Sequence, residues 1–229
     1  MADTVVLIPA YNEEKNIKET VTRVKKLGFL PLVVDDASID STSDIAKKHG
    51  AIVLRHQVNG GKGEAVKTGF GYIFKNLKVR YVVLLDADLQ YKPEEIPNML
   101  SELKDGSADF VMGYRDWSLV PFRHRFGNLV WRIFFNILFG TKMRDTNCGF
   151  MGMTIQTAKK IGGLGRGYVI DNHIVSQVVR NKLRIGQVPV SIYYRHKSKT
   201  LRGLRMVAGV LIFILIEGAK YRLRIGMKR

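Results

Sequence analysis

The strongest constraint on the fold lies at the start of the chain, where Thr4–Pro9 (TVVLIP) is a β-branched, apolar run without polar alternation. A strand with one wet face alternates. A run like this suits a strand buried on both faces, the habit of parallel sheets covered by helices. The residues that follow keep the same plan. Ile17, Val21, Val24 and Leu27 recur at helical spacing within Glu13–Leu27, and Leu32–Val34 reads as a second strand. A helix begins at Ser41, Ala51–Leu54 is a third strand, and Lys62–Phe74 a helix after the Gly60-Gly61 turn. Tyr81–Leu85 is a fourth strand, Pro93–Leu103 a helix with proline in its first turn, and Ala108–Met112 a fifth strand. This rhythm predicts an α/β fold, a mostly parallel sheet with helices on both faces. Ligands of such sheets bind at the carboxyl ends of the strands.

After residue 115 the rhythm changes. Phe122–Phe139 carries Trp131, Phe134, Phe135, Leu138 and Phe139 at helical spacing. A short apolar run, Gly149–Met153, precedes a helix over Val169–Val179 and a strand over Leu183–Val190. Met206–Ile216 (MVAGVLIFILI) is eleven residues without a charge. As a helix it is about 16 Å long against roughly 30 Å of bilayer core, too short to span alone. With Arg202 and Arg205 before it and Lys220, Arg222 and Arg224 after it, it reads as an interfacial or docking helix, with a buried core helix as the alternative.

Charge divides the chain at the same place. Residues 1–114 carry a net −1 and residues 115–229 a net +18, with only Asp116, Asp145, Asp171 and Glu217 as acids in the second part. A cationic half attracts phosphorylated substrates, anionic lipid or nucleic acid. Nucleic acid is set aside, because the cations flank apolar runs and no nucleic-acid module is recognisable. The lone Cys148 excludes an internal disulfide and fits a reducing compartment. The start Met1-Ala2-Asp3-Thr4 lacks the features of a secretory leader.

Polar residues collect where the strands end. Leu84-Leu85-Asp86-Ala87-Asp88-Leu89-Gln90 delivers two carboxylates, two residues apart, to the sheet rim. Oxygen ligands in this arrangement suit Mg²⁺ or Mn²⁺ bridging to phosphate, or serve as plain loop carboxylates. Val33-Val34-Asp35-Asp36-Ala37-Ser38 ends a second buried strand in acids. Asp40 or Ser41 is available to cap the next helix, which leaves Asp36 for another use. Ile8-Pro9-Ala10-Tyr11-Asn12-Glu13-Glu14 offers an aromatic able to stack on a base. Asn59-Gly60-Gly61-Lys62-Gly63 is either a phosphate-approaching loop or a plain turn.

The series IPAYNEE, VVDDAS, NGGKGEA and LLDADLQYKPEEI, in this order and spacing, resembles the inverting family 2 glycosyltransferases of GT-A fold. Within them it is similar to the dolichyl-phosphate mannose synthase and polyprenyl-phosphate glycosyltransferase group. The likeness continues through Gly113-Tyr114-Arg115, Arg123-His124-Arg125-Phe126-Gly127-Asn128, Asp145-Thr146-Asn147-Cys148-Gly149-Phe150 and Val188-Pro189-Val190.

The resemblance implies a GT-A domain over residues 1–200, with a nucleotide-binding half (1–114) and an acceptor-binding half (115–200). Residues 201–229 then form a membrane-associating helix and tail. It implies that Pro9, Tyr11, Glu13, Val34 and Asp36 line the nucleoside pocket, with Asp86 and Ala87 beside the nucleotide. Asp88 and Gln90 bind Mg²⁺ or Mn²⁺, Arg115, Arg123 and Arg125 hold the acceptor phosphate, and Arg195 lies near the donor phosphates. Three departures stand out: the loop Arg195-His196-Lys197-Ser198-Lys199 is shorter than the family's and has no glycine, Ala37 replaces a usual glycine and Tyr91 a usual histidine. The implied partners are a nucleotide sugar (GDP-mannose, UDP-glucose or UDP-GlcNAc type), a lipid-linked phosphate and the cytoplasmic face of a membrane. A membrane subunit or a second copy stays open. A hydroxyl acceptor is the alternative, and it requires a base such as Asp145 or Asp171, whereas a phosphate acceptor is already anionic.

Overall fold

The computed structural model describes residues 3–116, 122–161, 169–193 and 200–225, except the side chains of 122–124, 126 and 200–207. Seven strands form one sheet: β1 (Thr4–Ala10), β2 (Leu30–Asp35), β3 (Ile52–Arg55), β4 (Tyr81–Leu84), β5 (Phe110–Arg115), β6 (Met151–Thr154) and β7 (Ile185–Val190). Their spatial order is β3-β2-β1-β4-β6-β5-β7. The helices are α1 (Ile17–Lys26), α2 (Thr42–Lys48), α3 (Lys62–Asn76), α4 (Ile96–Lys104), α5 (Phe122–Phe139), α6 (Ile155–Lys160), α7 (Ile170–Arg180) and α8 (Thr200–Arg222). The mostly parallel α/β architecture expected from the sequence is present. Val5, Val6, Leu7 and Ile8 are fully buried, as the continuous run in β1 requires.

Parallel pairing brings three strand ends to one rim. Ala10 of β1 pairs with Asp35 of β2, and Leu7 pairs with Leu84 at the end of β4. The loops that begin at Tyr11, Asp36 and Leu85 therefore leave the sheet side by side. The exception to parallel order is β6, inserted antiparallel between β4 and β5. Because it runs backwards, with Leu84 opposite Met151, its entry at Gly149 and Phe150 also lies at this rim. From sequence alone that segment reads only as an apolar run.

The apolar stretch from Met206 proves to be part of α8, a helix that continues past Glu217. Within it, the Glu217 carboxylate pairs with Arg180 of α7 at 3.0 Å. Val210 and Ile214 are buried, and Gly218 leaves room for Leu138 of α5. No helix among the described residues is long and apolar enough to cross a membrane.

Candidate functional site

At the end of β1, Tyr11 is about half exposed, and Asn12 takes a left-handed backbone (φ 56°). That turn is locked to the neighbouring loop. The Asn12 and Glu13 amides donate to Ser38 Oγ and Thr42 Oγ1, and the Ile39 amide donates to Asn12 Oδ1. Ala37 also has positive φ (63°), a conformation that disfavours a Cβ and explains why glycine suits this position. Val34 is fully buried within β2, and Pro9 lies near the end of β1.

The two acids ending β2 are both engaged. Asp35 is fully buried, accepting from the Ser38 amide at 2.9 Å and from Ser43 Oγ. Asp36 accepts from the Gly60 amide at 2.9 Å, the Gly61 amide at 2.6 Å and His56 Nδ1 at 2.7 Å. Asp36, which the sequence left for a use other than capping α2, is engaged by the Gly60-Gly61 loop and by His56. Asp40 caps α2 as expected, accepting from the Thr42 amide, while Asp36 organises the glycine loop before α3. That loop's amide donors are turned inward to Asp36.

At the end of β4, the loop carrying Asp86 and Asp88 leaves the sheet beside the loop that begins at Tyr11, and the charges of Asp86 and Glu13 both act on Asp88. Asp88 accepts from the Gln90 side-chain amide at 2.6 Å and from its backbone N–H at 3.1 Å. Burial, reinforced by the charges of Asp86 and Glu13, pushes the Asp88 carboxyl up to about 6. Crowded carboxylates of this kind favour a cation. The described residues contain no group of three His, Cys, Asp or Glu arranged for a metal. Asp88 and Gln90 are the residues here that could hold a cation, through the Asp88 carboxylate and the Gln90 side-chain oxygen. That donor set fits a hard divalent cation such as Mg²⁺ or Mn²⁺. Ala87 is buried, and its carbonyl accepts from Thr20 Oγ1 at 3.1 Å.

Sequence reasoning gave Lys62 no role. Its ammonium lies 2.8 Å from Asp86 and 3.0 Å from Asp171 of α7. Although burial works against its charge, the two carboxylates raise its pKa well above the ordinary lysine value. Asp86 has room here only because Gly149 lacks a side chain; a Cβ there would come within 2.1 Å of Asp86 Oδ2. The signal was Gly-Lys-Gly and Cys-Gly-Phe in the sequence, but their meeting depends on the reversed strand β6.

Arg115 does not present a free guanidinium. It is 7% exposed, and Nε and Nη2 pair with the two oxygens of Asp145 at 2.6 and 2.8 Å. Nη2 also donates to Asn128 Oδ1 at 3.1 Å. The expectation that Arg115 holds the acceptor phosphate is revised to a positioning role, tying β5 to α5. Asp145, offered as a base for a hydroxyl acceptor, is saturated by the same pair and by the Asn147 amide. Arg125 is exposed on α5, while the Arg123 side chain and all of Arg195 lie outside the described residues. Tyr91 is buried against Phe150, so its replacement of histidine concerns the core.

An open cavity of about 780 Å³ lies at the carboxyl ends of β5 and β7, lined by Arg115, Arg132 and Arg144 beside Glu95 and Asp116. Arg144 lies over the Tyr114 ring, 4.6 Å from its centroid, and donates to its hydroxyl at 2.6 Å. The Glu95 carboxylate accepts from the Ser191 amide.

Comparison with known proteins gives the family and the fold. The model of the glycosyl transferase family 2 matches residues 5–161. An uncharacterized protein of Methanocaldococcus jannaschii is 31% identical, over 93% of this chain and all of the relative. The UDP-N-acetylglucosamine–dolichyl-phosphate N-acetylglucosaminyltransferase of Methanococcus voltae is 28% identical, over 93% of this chain and 95% of that one. Among solved structures, the glucosyl-3-phosphoglycerate synthase of Mycobacterium tuberculosis, in complex with Mn²⁺, UDP and glucosyl-3-phosphoglycerate, matches with a TM-score of 0.78 at 20% identity. That match covers 95% of this chain and 80% of that one. A seven-stranded sheet with its acids gathered at one rim, and a family match over most of the chain, make this protein a glycosyltransferase belonging to family 2.

Proposed function

We propose that this enzyme transfers a sugar from a nucleotide-diphosphate sugar to a polyprenyl or dolichyl phosphate, with inversion and with a divalent cation. The observation that carries the reading is the shared rim of β1, β2 and β4, from which the loops beginning at Tyr11, Asp36 and Leu85 leave side by side, with Asp88 bonded to Gln90 in the last of them. Tyr11 would stack on the base, and Asp88 and Gln90 would hold Mg²⁺ or Mn²⁺ against the donor. When bound, the cation supplies neutralisation of the charge that gathers on the departing diphosphate. An acceptor phosphate oxygen attacks the anomeric carbon from the face opposite the diphosphate. The new carbon–oxygen bond forms as the bond to the diphosphate breaks.

A phosphate acceptor needs no proton removed. Two features support it over a hydroxyl: Asp145 is saturated by Arg115, and Asp171 is held by Lys62. The cavity containing Arg132 and Arg144 is the proposed berth for the acceptor phosphate, since guanidinium groups pair with phosphate in two-pronged fashion. The Methanococcus voltae relative, named for a dolichyl-phosphate acceptor, and a Micrococcus luteus relative named undecaprenyl-phosphate mannosyltransferase favour the same class. Such an acceptor would put the reaction at a membrane surface, and the cytoplasmic face is the side we propose.

The test is a matrix of radiolabelled GDP-mannose, UDP-glucose and UDP-GlcNAc against polyprenyl and dolichyl phosphate, each with Mg²⁺, Mn²⁺ or EDTA. One donor is expected to label the lipid only when a metal is supplied. Labelling of a glycan hydroxyl but of neither lipid would overturn the acceptor assignment.

A further inference from the structure

The loop that carries the proposed cation donors is bent through an unfavourable turn. Leu89, between Asp88 and Gln90, is buried and has a left-handed backbone (φ 58°). A Cβ disfavours that conformation, so it persists only where surrounding contacts hold it. On one side Asp88 does so, accepting from the Gln90 backbone and side-chain amides. On the other side the contacts come from the chain leaving β7. The Tyr193 amide donates to the Gln90 carbonyl at 2.9 Å, and Tyr91 pairs antiparallel with Ile192. The Lys92 ammonium lies 5.2 Å from the centroid of the Tyr193 ring. Residues 191–193 therefore run back along residues 90–92 as a short strap.

One side chain anchors this strap. The ladder between β5 and β7 ends where Arg115 pairs with Val190, so the Ser191 amide lies beyond it. That amide donates to the Glu95 carboxylate, 3.0 Å from one oxygen and 3.1 Å from the other. Glu95 immediately precedes α4, whose Ile96, Met99, Leu100 and Leu103 are buried, so the carboxylate stands on a firm base. It also lines the cavity that holds Arg115, Arg132 and Arg144. A carboxylate there repels any anion drawn to those arginines. Its charge works against the berth, and the bond it makes to Ser191 is the use the structure gives it.

We propose that Glu95 is a positioning residue for the cation site: by holding the Ser191 amide it keeps the chain leaving β7 paired with residues 90–92, and so sets Gln90 and Asp88 for the metal. The inference rests on the reading of Asp88 and Gln90 as the cation donors. Groups that orient a metal's ligands from behind govern its affinity. Ser191 and Ile192 also line the arginine-bearing cavity, so one strap is both a wall of the proposed acceptor berth and a support of the cation loop. Glu95 acts through an oxygen that accepts a hydrogen bond, which a glutamine side chain also offers.

The experiment measures Mn²⁺ binding to the full chain by electron paramagnetic resonance, without sugar donor or acceptor, in the parent, Glu95→Ala, Glu95→Gln and Asp88→Asn. Circular dichroism checks the fold of each. Glu95→Ala is expected to weaken Mn²⁺ binding about tenfold or more, and Glu95→Gln by less than about threefold. A second measurement needs no change at Glu95. In the parent, saturating Mg²⁺ is expected to slow amide exchange of Ser191 and Tyr193 about tenfold, because cation and strap stabilise the same loop. Unchanged Mn²⁺ binding in folded Glu95→Ala overturns the proposal, and so does exchange that Mg²⁺ leaves unaltered. Equal losses in Glu95→Ala and Glu95→Gln overturn it too, since charge and not the hydrogen bond would then be at work. If Asp88→Asn binds Mn²⁺ as the parent does, the cation reading falls and takes this inference with it. If Asp88→Asn loses the ion while Glu95→Ala keeps it, only the inference falls. If no lipid phosphate is labelled but Mn²⁺ binding follows the expected pattern, the role of Glu95 stands and only the proposed acceptor falls.

Discussion

The Lys62 ammonium bridges Asp86, at the end of β4, and Asp171, on α7, and so joins the two differently charged halves of the chain at the donor rim. Removing it leaves two carboxylates facing each other in a half-dry site. Lys62→Met is expected to cost roughly 2–3 kcal/mol, somewhat under the full-burial range because part of the side chain reaches solvent. Adding Asp171→Asn to that variant is expected to recover part of the loss. Urea denaturation of the three proteins measures both effects, and additive losses would show that the bridge is not coupled.

Asp88 and Gln90 are the proposed cation donors, and their removal separates binding from folding. Asp88→Asn is expected to lower transfer by on the order of 10²-fold or more, with the fold intact by circular dichroism. In the parent, Mn²⁺ is expected to raise Tm; in Asp88→Asn this rise is expected to vanish. An equal Mn²⁺ shift in both proteins would move the cation elsewhere.

Gly149 gives Asp86 its space. Gly149→Ala sets a Cβ within 2.1 Å of the Asp86 carboxylate, so Asp86 must move and its contact with Lys62 must be rebuilt. Transfer is expected to fall about tenfold or more, because small displacements of positioned groups are costly to rate. Steady-state kinetics check this, and full activity would show that Asp86 is free to shift.

Arg115 and Asp145 form the most deeply buried of the pairs described above. Arg115→Met strands Asp145 and is expected to cost about 3–5 kcal/mol, with Arg115→Met/Asp145→Leu more stable than the single variant. Thermal and urea unfolding compare them. A single variant that folds normally but raises KM for acceptor alone would restore Arg115 to the phosphate site.

Cys148 is buried, and burial pushes its thiol up to about 12. A thiol raised in this way stays neutral as pH climbs through the usual cysteine range. Native protein is expected to resist iodoacetamide at pH 8 and to react rapidly in guanidinium. As pH rises above about 9 the unfolded thiol ionises first, so this group's contribution to stability falls toward alkaline pH. Rapid alkylation of native protein would place Cys148 at the surface.

The strands and helices of the first half were legible because each is written locally. A run of Val, Leu and Ile buried on both faces, or apolar residues every three or four positions, has one regular structure that suits it. The acids of the rim were legible for the same reason: they end strands, and strand ends in a parallel sheet converge. What residues do to one another across the chain was not legible. That Asp36 would take the Gly60 and Gly61 amides as its partners could not be read until folding set them against it. Arg115 looked like a phosphate ligand until Asp145, thirty residues on, closed over it.

By itself, the amino-acid order determined the α/β class, the family and the gathering of carboxylates at one edge. Only the tertiary structure decided that β6 enters backwards, that Gly149 therefore meets Asp86, and that α5 packs on α8. The reason is physical. Periodicity records which side of an element is apolar, but what that side meets depends on which neighbour the folded chain brings to it.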